Sequence, residues 1–190
     1  MLSAERFQID RVQLSSGKNI AFKKLTESQS IALKQLEGEM LEHKVTLLHG
    51  VTGSGKTELY VQLIQDQLDQ GKQVLFLLPE IALTTQLIQR LSAYFGEKIG
   101  VYHSKFNQNE RVEIWNKVLQ DDPHEFRIIL GARSSVFLPF QNLGLIIVDE
   151  EHESSFKQNH PSPRYNGREA AIVLARMHEA KVLLGTPTPW

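Results

Sequence analysis

The sequence predicts an α/β fold, a mostly parallel sheet with helices on both faces. Three observations carry the prediction. From residue 45 onward, short apolar runs alternate with amphipathic stretches of helical period, and strands that alternate with helices pair in parallel. The runs are nearly uninterrupted, as in "VLFLL" and "LIIV", which suits strands buried on both faces. Glycines such as Gly71 and Gly96 close helical stretches, where helix C-caps belong.

Residues 1–24 are polar and irregular, with "SSGKN" as a turn, and read as a tail or short hairpin. "LTESQSIALKQLEGEM" is the first helix. Thr26 caps it, Gln29 completes a capping box, and Ile31, Leu33 and Leu36 follow at roughly helical spacing. "VTLLHG" is a buried strand and "KTELYVQLIQDQLDQ" an amphipathic helix stopped by Gly71. "QVLFLLPE" is the next strand, followed by the helix "ALTTQLIQRLSAYF". "KIGVYHS" is a strand, and "NQNERVEIWNKVLQDD" a helix with Trp115 and Leu119 on one face. "FRIILGA" and "LGLIIVDEEH" are strands, "GREAAIVLARMHEA" a helix, and "KVLLGTPTPW" a strand running into a proline-broken loop. Crossovers in such a sheet are right-handed, and ligands bind beyond the carboxyl ends of the strands.

A chain of 190 residues suggests one domain, long enough to bury most of its unfolded surface. The net charge of −1 advertises no bulk attraction to nucleic acid, although a local basic groove would suffice. With no cysteine, disulfides and thiolate metal sites are excluded within these residues, which fits a cytoplasmic location. No apolar run approaches the ~20 residues of a membrane span, and the N-terminus lacks a signal-peptide layout.

"GVTGSGKT", residues 50–57, is the pattern G-x-x-x-x-G-K-[ST] between a strand and a helix, the context this phosphate-binding motif requires. Backbone N–H groups of the loop and of the helix N-terminus face the phosphates. Gly50, Gly53 and Gly55 allow the tight path, with Thr52 and Ser54 completing the cradle. Lys56 is positioned for the β- and γ-phosphates, and Thr57 for Mg²⁺. Kinases, GTPases, transporter subunits and helicases all share such a loop.

"LIIVDEEH" narrows the field. Asp149 emerges at a strand end, where P-loop enzymes hold Mg²⁺. Glu150 follows and suits a general base for an attacking water. A hydrolase needs that second acid here; a kinase does not. A merely solvated acidic strand end is the bland alternative. Lys56, Asp149 and Glu150 form the candidate catalytic set.

The D-E-x-H tetrad resembles that of superfamily 2 helicases and translocases, in which His152 would link the nucleotide site to the DNA-sensing region. "GVTGSGKTE", "LPEIALT", "HSKFNQNER", "GARSSVFLPFQNLGLIIVDEEHESSFKQ" and "RYNGREAA" together resemble the PriA-type primosomal helicases. The likeness runs from about residue 25 to 189. It implies a RecA-like P-loop NTPase lobe, the first of two, over residues 25–190, with ATP and Mg²⁺ as cofactors. Gln29 matches the family's adenine-reading glutamine, with the capping box as its alternative role. A carboxamide both donates and accepts, which suits the adenine edge.

The resemblance also implies a DNA track. Thr84 lies in the family's motif Ia, and Arg133 and Ser134 in motif Ib. Hydroxyls and an Arg there suit DNA phosphates, and Ser104 in "YHS" extends the track. "ESSFKQNHPSPRYNGRE" carries Phe156, Lys157, Arg164 and Tyr165. Aromatics among cations suit single-stranded DNA; anchoring of the two rings to the core is the alternative. Thr186 and Thr188 match motif III, with Pro187 in place of its usual alanine. Implied partners are single-stranded and forked DNA, primosomal proteins and single-strand-binding proteins, with no membrane.

The family's second lobe would follow residue 190, and its zinc module lies elsewhere, since no cysteine is present. The 190 residues are therefore expected to be an excised lobe or a natural truncation that binds nucleotide and DNA weakly and does not unwind. The alternatives are a lobe of another superfamily 2 DNA or RNA translocase, or a nucleotide-binding module that never hydrolyses.

Overall fold

Strands β1 (Val45–His49), β2 (Gln73–Leu77), β3 (Ile99–Tyr102), β4 (Ile128–Gly131), β5 (Leu143–Val148) and β6 (Lys181–Thr186) form one sheet, in the order β1-β6-β5-β2-β4-β3. The computed structural model describes residues 21–51, 53–79, 85–103 and 106–187. Every strand pairing in the sheet is parallel, so the expected fold class holds without an antiparallel member.

Among the described residues, helix α1 (Glu27–Glu42) leads into β1, and α2 (Lys56–Asp69), α3 (Thr85–Phe95), α4 (Gln108–Gln120) and α5 (Gly167–Met177) lie between strands. Thr26 caps α1 through the expected capping box with Gln29. Asn107 and Glu110 form a second box on α4. Each box satisfies two backbone donors that a helix start leaves free.

Side chains alternate across the strands, which gives the sheet two cores. Val74 and Phe76 of β2 face α1, α2 and α3, where Leu36, Ile64 and Leu91 are buried. Leu75 and Leu77 face α4 and α5, where Ile114, Val118, Ala171 and Ala175 pack. Helix α4 buries a different pair from the one the sequence picked out. Trp115 and Leu119 do share a face, but that face is 44% and 46% exposed, while Ile114 and Val118 are buried.

Buried polar groups close the rim at the amino ends of the strands. Gln73 Nε2 donates to the Val118 carbonyl at 3.0 Å, and its Oε1 accepts from the N–H groups of Gln141 (2.8 Å) and Asn142 (3.1 Å). Arg127 pairs with Asp121 and donates to the Gly71 carbonyl. On the first helical layer, the buried Glu58 accepts from Arg90 and from the Tyr94 hydroxyl, tying α2 to α3. Phe22 stacks on Tyr94 at 5.7 Å and carries the chain over the same helix.

Candidate functional site

The carboxyl ends of β1, β6 and β5 lie side by side, and each delivers one candidate motif. Gly50 leaves β1 with its N–H donated to the Thr186 carbonyl at the end of β6, 3.0 Å away. The loop then turns through left-handed backbone at Gly53 (φ 81°) and Gly55 (φ 89°), conformations that favour glycine. Gly55 sits at the N-cap of α2, so the free N–H groups of the first turn face the loop. Lys56 folds back over the loop and donates to the Gly50 carbonyl at 2.5 Å. Thr57 is half-buried in the first turn of α2.

Gln29 holds the cap of α1, one of the two roles the sequence offered for it. Its Oε1 accepts from Thr26 N at 2.9 Å, which completes the cap of α1. Its Nε2 lies against Gly55, where any Cβ would collide with it. One side chain thus caps a helix and touches the phosphate loop.

The two acids follow β5. Asp149 N continues the ladder to the Leu77 carbonyl at 3.1 Å, and its Oδ1 accepts from the Tyr60 hydroxyl at 2.8 Å. Burial pushes the Asp149 carboxyl above the usual carboxylate range, against the opposing pull of the Tyr60 hydrogen bond and of Lys56. Glu150 has left-handed backbone (φ 52°). Its carboxyl is raised by burial first and by the charge of Asp149 second, while Lys56 and His152 oppose the shift. A carboxylate that holds a proton more tightly than usual is the stronger base. His152 Nε2 lies 3.9 Å from Glu150.

Thr57 and Asp149 offer a hydroxyl and a carboxylate beside a phosphate cradle. That hard oxygen set fits Mg²⁺, which needs only one or two protein ligands besides phosphate and water.

Several side chains that sequence reasoning missed support the site. Tyr60 is buried and holds Asp149. Glu151 N donates to the Gly185 carbonyl at 3.0 Å, and its buried carboxylate accepts from Arg168 of α5 at 2.6 Å. A tyrosine on the apolar face of a helix is itself a signal, because a buried hydroxyl needs a partner.

The expected DNA contacts divide. Arg133 and Ser134 stand on a 3₁₀ turn, Arg133–Phe137, just beyond β4. Arg133 donates to the Ser155 carbonyl at 2.8 Å, so it braces the loop between β5 and α5, and its charge favours the ionised form of the Tyr165 hydroxyl. Phe156 corrects the expectation of a stacking platform. It is 1% exposed and belongs to the core beneath α4 and α5, because the 3₁₀ turn Ser154–Phe156 directs it inward. Tyr165 is half-buried, edge-on to Phe137 at 5.0 Å. Lys157 and Arg164 are exposed. They line an open groove of about 660 Å³ with Tyr165 and His160. Gln158 holds the loop closed, donating from Nε2 to the carbonyls of Pro161 (2.8 Å) and Pro163 (3.0 Å). Thr52, Thr84, Ser104 and Thr188 lie outside the described residues.

Known proteins match the sequence and the fold. The profile of the DEAD/DEAH box helicases matches residues 26–189. The chain belongs to the DEAD/DEAH box helicase family. Among curated relatives, it is 47% identical over 167 residues to replication restart protein PriA of Bacillus subtilis, covering 87% of this chain and 20% of that protein. It is 45% identical to PriA of Helicobacter pylori (87% and 25%) and 44% identical to PriA of Synechocystis (98% and 22%). The chain thus spans a quarter or less of the length of these relatives. The PriA-type resemblance carried by the motifs is borne out. The structure of RecG bound to a three-way DNA junction shares the fold, with a TM-score of 0.63 at 24% identity, over 88% of this chain and 21% of that one. So does the SWI2/SNF2 ATPase core of Sulfolobus solfataricus in complex with dsDNA, at 0.55 and 18%, over 93% and 34%. No helix among the described residues is long and apolar enough to cross a membrane.

Proposed function

We propose that these residues are the ATP-binding first lobe of a cytoplasmic, ATP-dependent 3′-to-5′ DNA helicase that acts in replication restart at stalled forks. The observation that carries the reading is the convergence of phosphate loop, Lys56, Asp149 and Glu150 at three adjacent strand ends. Polarity, fork preference and the primosomal and single-strand-binding partners rest on the likeness to PriA.

Backbone N–H groups of the loop and of the first turn of α2 bind the phosphates. Lys56 exchanges the Gly50 carbonyl for a phosphate oxygen. Thr57 and Asp149 would hold Mg²⁺, which would supply positive charge to the bound phosphates. Glu150 orients the attacking water and takes its proton. Gln29 turns its amide toward adenine. Arg133, Ser134, Lys157, Arg164 and Tyr165 form the DNA side, and the likeness to PriA assigns DNA contacts to Thr84 and Ser104 as well. His152, Thr186 and Thr188 link nucleotide state to that track.

Stepping along DNA needs two lobes that close and open around ATP. An arginine supplied from outside the loop-bearing lobe is worth ~10³–10⁵ in rate in related P-loop enzymes. The 190 residues alone are therefore expected to bind nucleotide and DNA weakly, with negligible turnover and no unwinding. The test is nucleotide binding with Mg²⁺, alongside ATP turnover with and without single-stranded DNA or RNA. Binding without stimulated turnover supports the reading. Strong DNA-stimulated turnover would overturn the two-lobe account, and stimulation by RNA alone would favour an RNA translocase.

A further inference from the structure

Tyr60 stands outside every motif, yet it makes the most specific contact in the site. Its side chain is 1% exposed, with the ring edge-on to Phe76 at 5.4 Å. Its one polar atom donates to Asp149 Oδ1 at 2.8 Å, across 89 residues of sequence. The contact is built from three elements. Helix α2 supplies the hydroxyl and β5 leads into the carboxylate. Strand β6 supplies the space, since a Cβ on Gly185 would overlap the Tyr60 hydroxyl and lie 2.6 Å from Asp149 Oδ1.

The helical period puts Tyr60 one turn from Thr57, on the same side of α2. The turn that offers one candidate metal ligand thus also grips the other. A carboxylate left to itself turns broadly about its terminal torsion. A bond from a packed hydroxyl to one oxygen removes that freedom and leaves the second oxygen for another partner.

We propose that Tyr60 is a positioning residue for the metal site: it engages Asp149 Oδ1 so that Oδ2 is the oxygen presented to the divalent cation of a bound nucleotide. The inference rests on the nucleotide reading above. It assigns to "GKTELY" a role beyond its lysine and threonine, and to Gly185 the role of leaving room for it.

The test is binding of a fluorescent ATP analogue to the 190-residue chain, titrated with Mg²⁺ and repeated in EDTA, for wild type, Tyr60→Phe, Asp149→Asn and the double variant. Loss of a group that orients a metal ligand typically costs 10–100-fold in metal affinity. Tyr60→Phe is therefore expected to raise the Mg²⁺ needed for half-maximal binding at least ~10-fold, with binding in EDTA unchanged. In the Asp149→Asn background the same change should do nothing further. A Tyr60→Phe protein with wild-type Mg²⁺ dependence, where Asp149→Asn has lost it, overturns the proposal and makes Tyr60 a packing residue. Equal losses with and without Mg²⁺, or additive effects in the double variant, overturn it too. If Asp149→Asn keeps wild-type Mg²⁺ dependence, or wild type has none, the metal-site reading itself fails and the role of Tyr60 falls with it. Should Tyr60→Phe not fold by circular dichroism, Gly185→Ala crowds the same contact while leaving both groups in the chain. It is expected to raise the Mg²⁺ requirement likewise, and wild-type dependence there overturns the proposal.

Discussion

Phe156 separates two accounts of the loop after β5. If the ring is a core anchor, Phe156→Ala empties a site that is 1% exposed and packed beneath α4 and α5. Truncating a buried Phe costs about 3–5 kcal/mol, a large share of the roughly 5–15 kcal/mol that holds a domain together. For a chain of this size each kcal/mol moves Tm by about 2–4 °C, so a fall of about 6–20 °C is expected. Phe156→Leu keeps most of the volume and is expected to cost less than about 1.5 kcal/mol. Urea unfolding followed by far-UV circular dichroism measures both, and fluorescence anisotropy with single-stranded DNA measures binding. The anchor account predicts that Phe156→Leu binds DNA as wild type does. A stacked base is worth about 1–3 kcal/mol. A Phe156→Leu protein of unchanged stability that loses that much affinity would refute the reasoning, as would a Phe156→Ala protein with a wild-type urea midpoint.

Three further outcomes are expected. Gly55→Ala forces a side chain into left-handed backbone and onto Gln29. It should destabilise the fold by more than ~1 kcal/mol in thermal unfolding and weaken nucleotide binding in the same titration. Gln73→Leu strands the Val118 carbonyl and the N–H groups of Gln141 and Asn142. At about 1–3 kcal/mol for the buried Val118 carbonyl left unpaired, its urea midpoint should drop below that of surface substitutions. For Asp149 the sign follows from its raised pKa. The ionised form is disfavoured in the folded state, so stability is lost as pH rises through the folded value and regained as pH falls back toward the ordinary carboxylate range. Asp149→Asn should therefore raise Tm, without nucleotide, at pH well above the ordinary carboxylate range, with the gain shrinking as pH falls toward that range; a gain independent of pH would contradict the assignment.

Much of this molecule is readable from local pattern. Alternating apolar runs and helical stretches located all six strands, and Thr26 with Gln29 marked the start of α1. The loop at 50–57 and the acids at 149–150 were legible because each sits at the end of an apolar run. Contacts between distant segments were not. Nothing local says that β6 inserts between β1 and β5, although that insertion brings Gly185 to the acids and Thr186 to Gly50. On α4, Ile114 with Val118 and Trp115 with Leu119 are two equally spaced apolar pairs, and only the sheet decides which is buried. Phe156 lies in a polar loop without periodicity, so its burial leaves no trace in the pattern. Tyr60 looks like an ordinary apolar-face residue until Asp149 is placed beside it.

The left-handed backbone at Glu150 bears on anyone who would engineer this protein for robustness. Left-handed conformations disfavour side chains other than glycine, with asparagine and aspartate the best tolerated. A selection that rewards only survival on heating would therefore drift toward glycine or asparagine at position 150. The survivors would be hardier, well-folded and free of the group assigned to accept the water's proton. Heat tolerance and ATP turnover should accordingly be scored on the same clones.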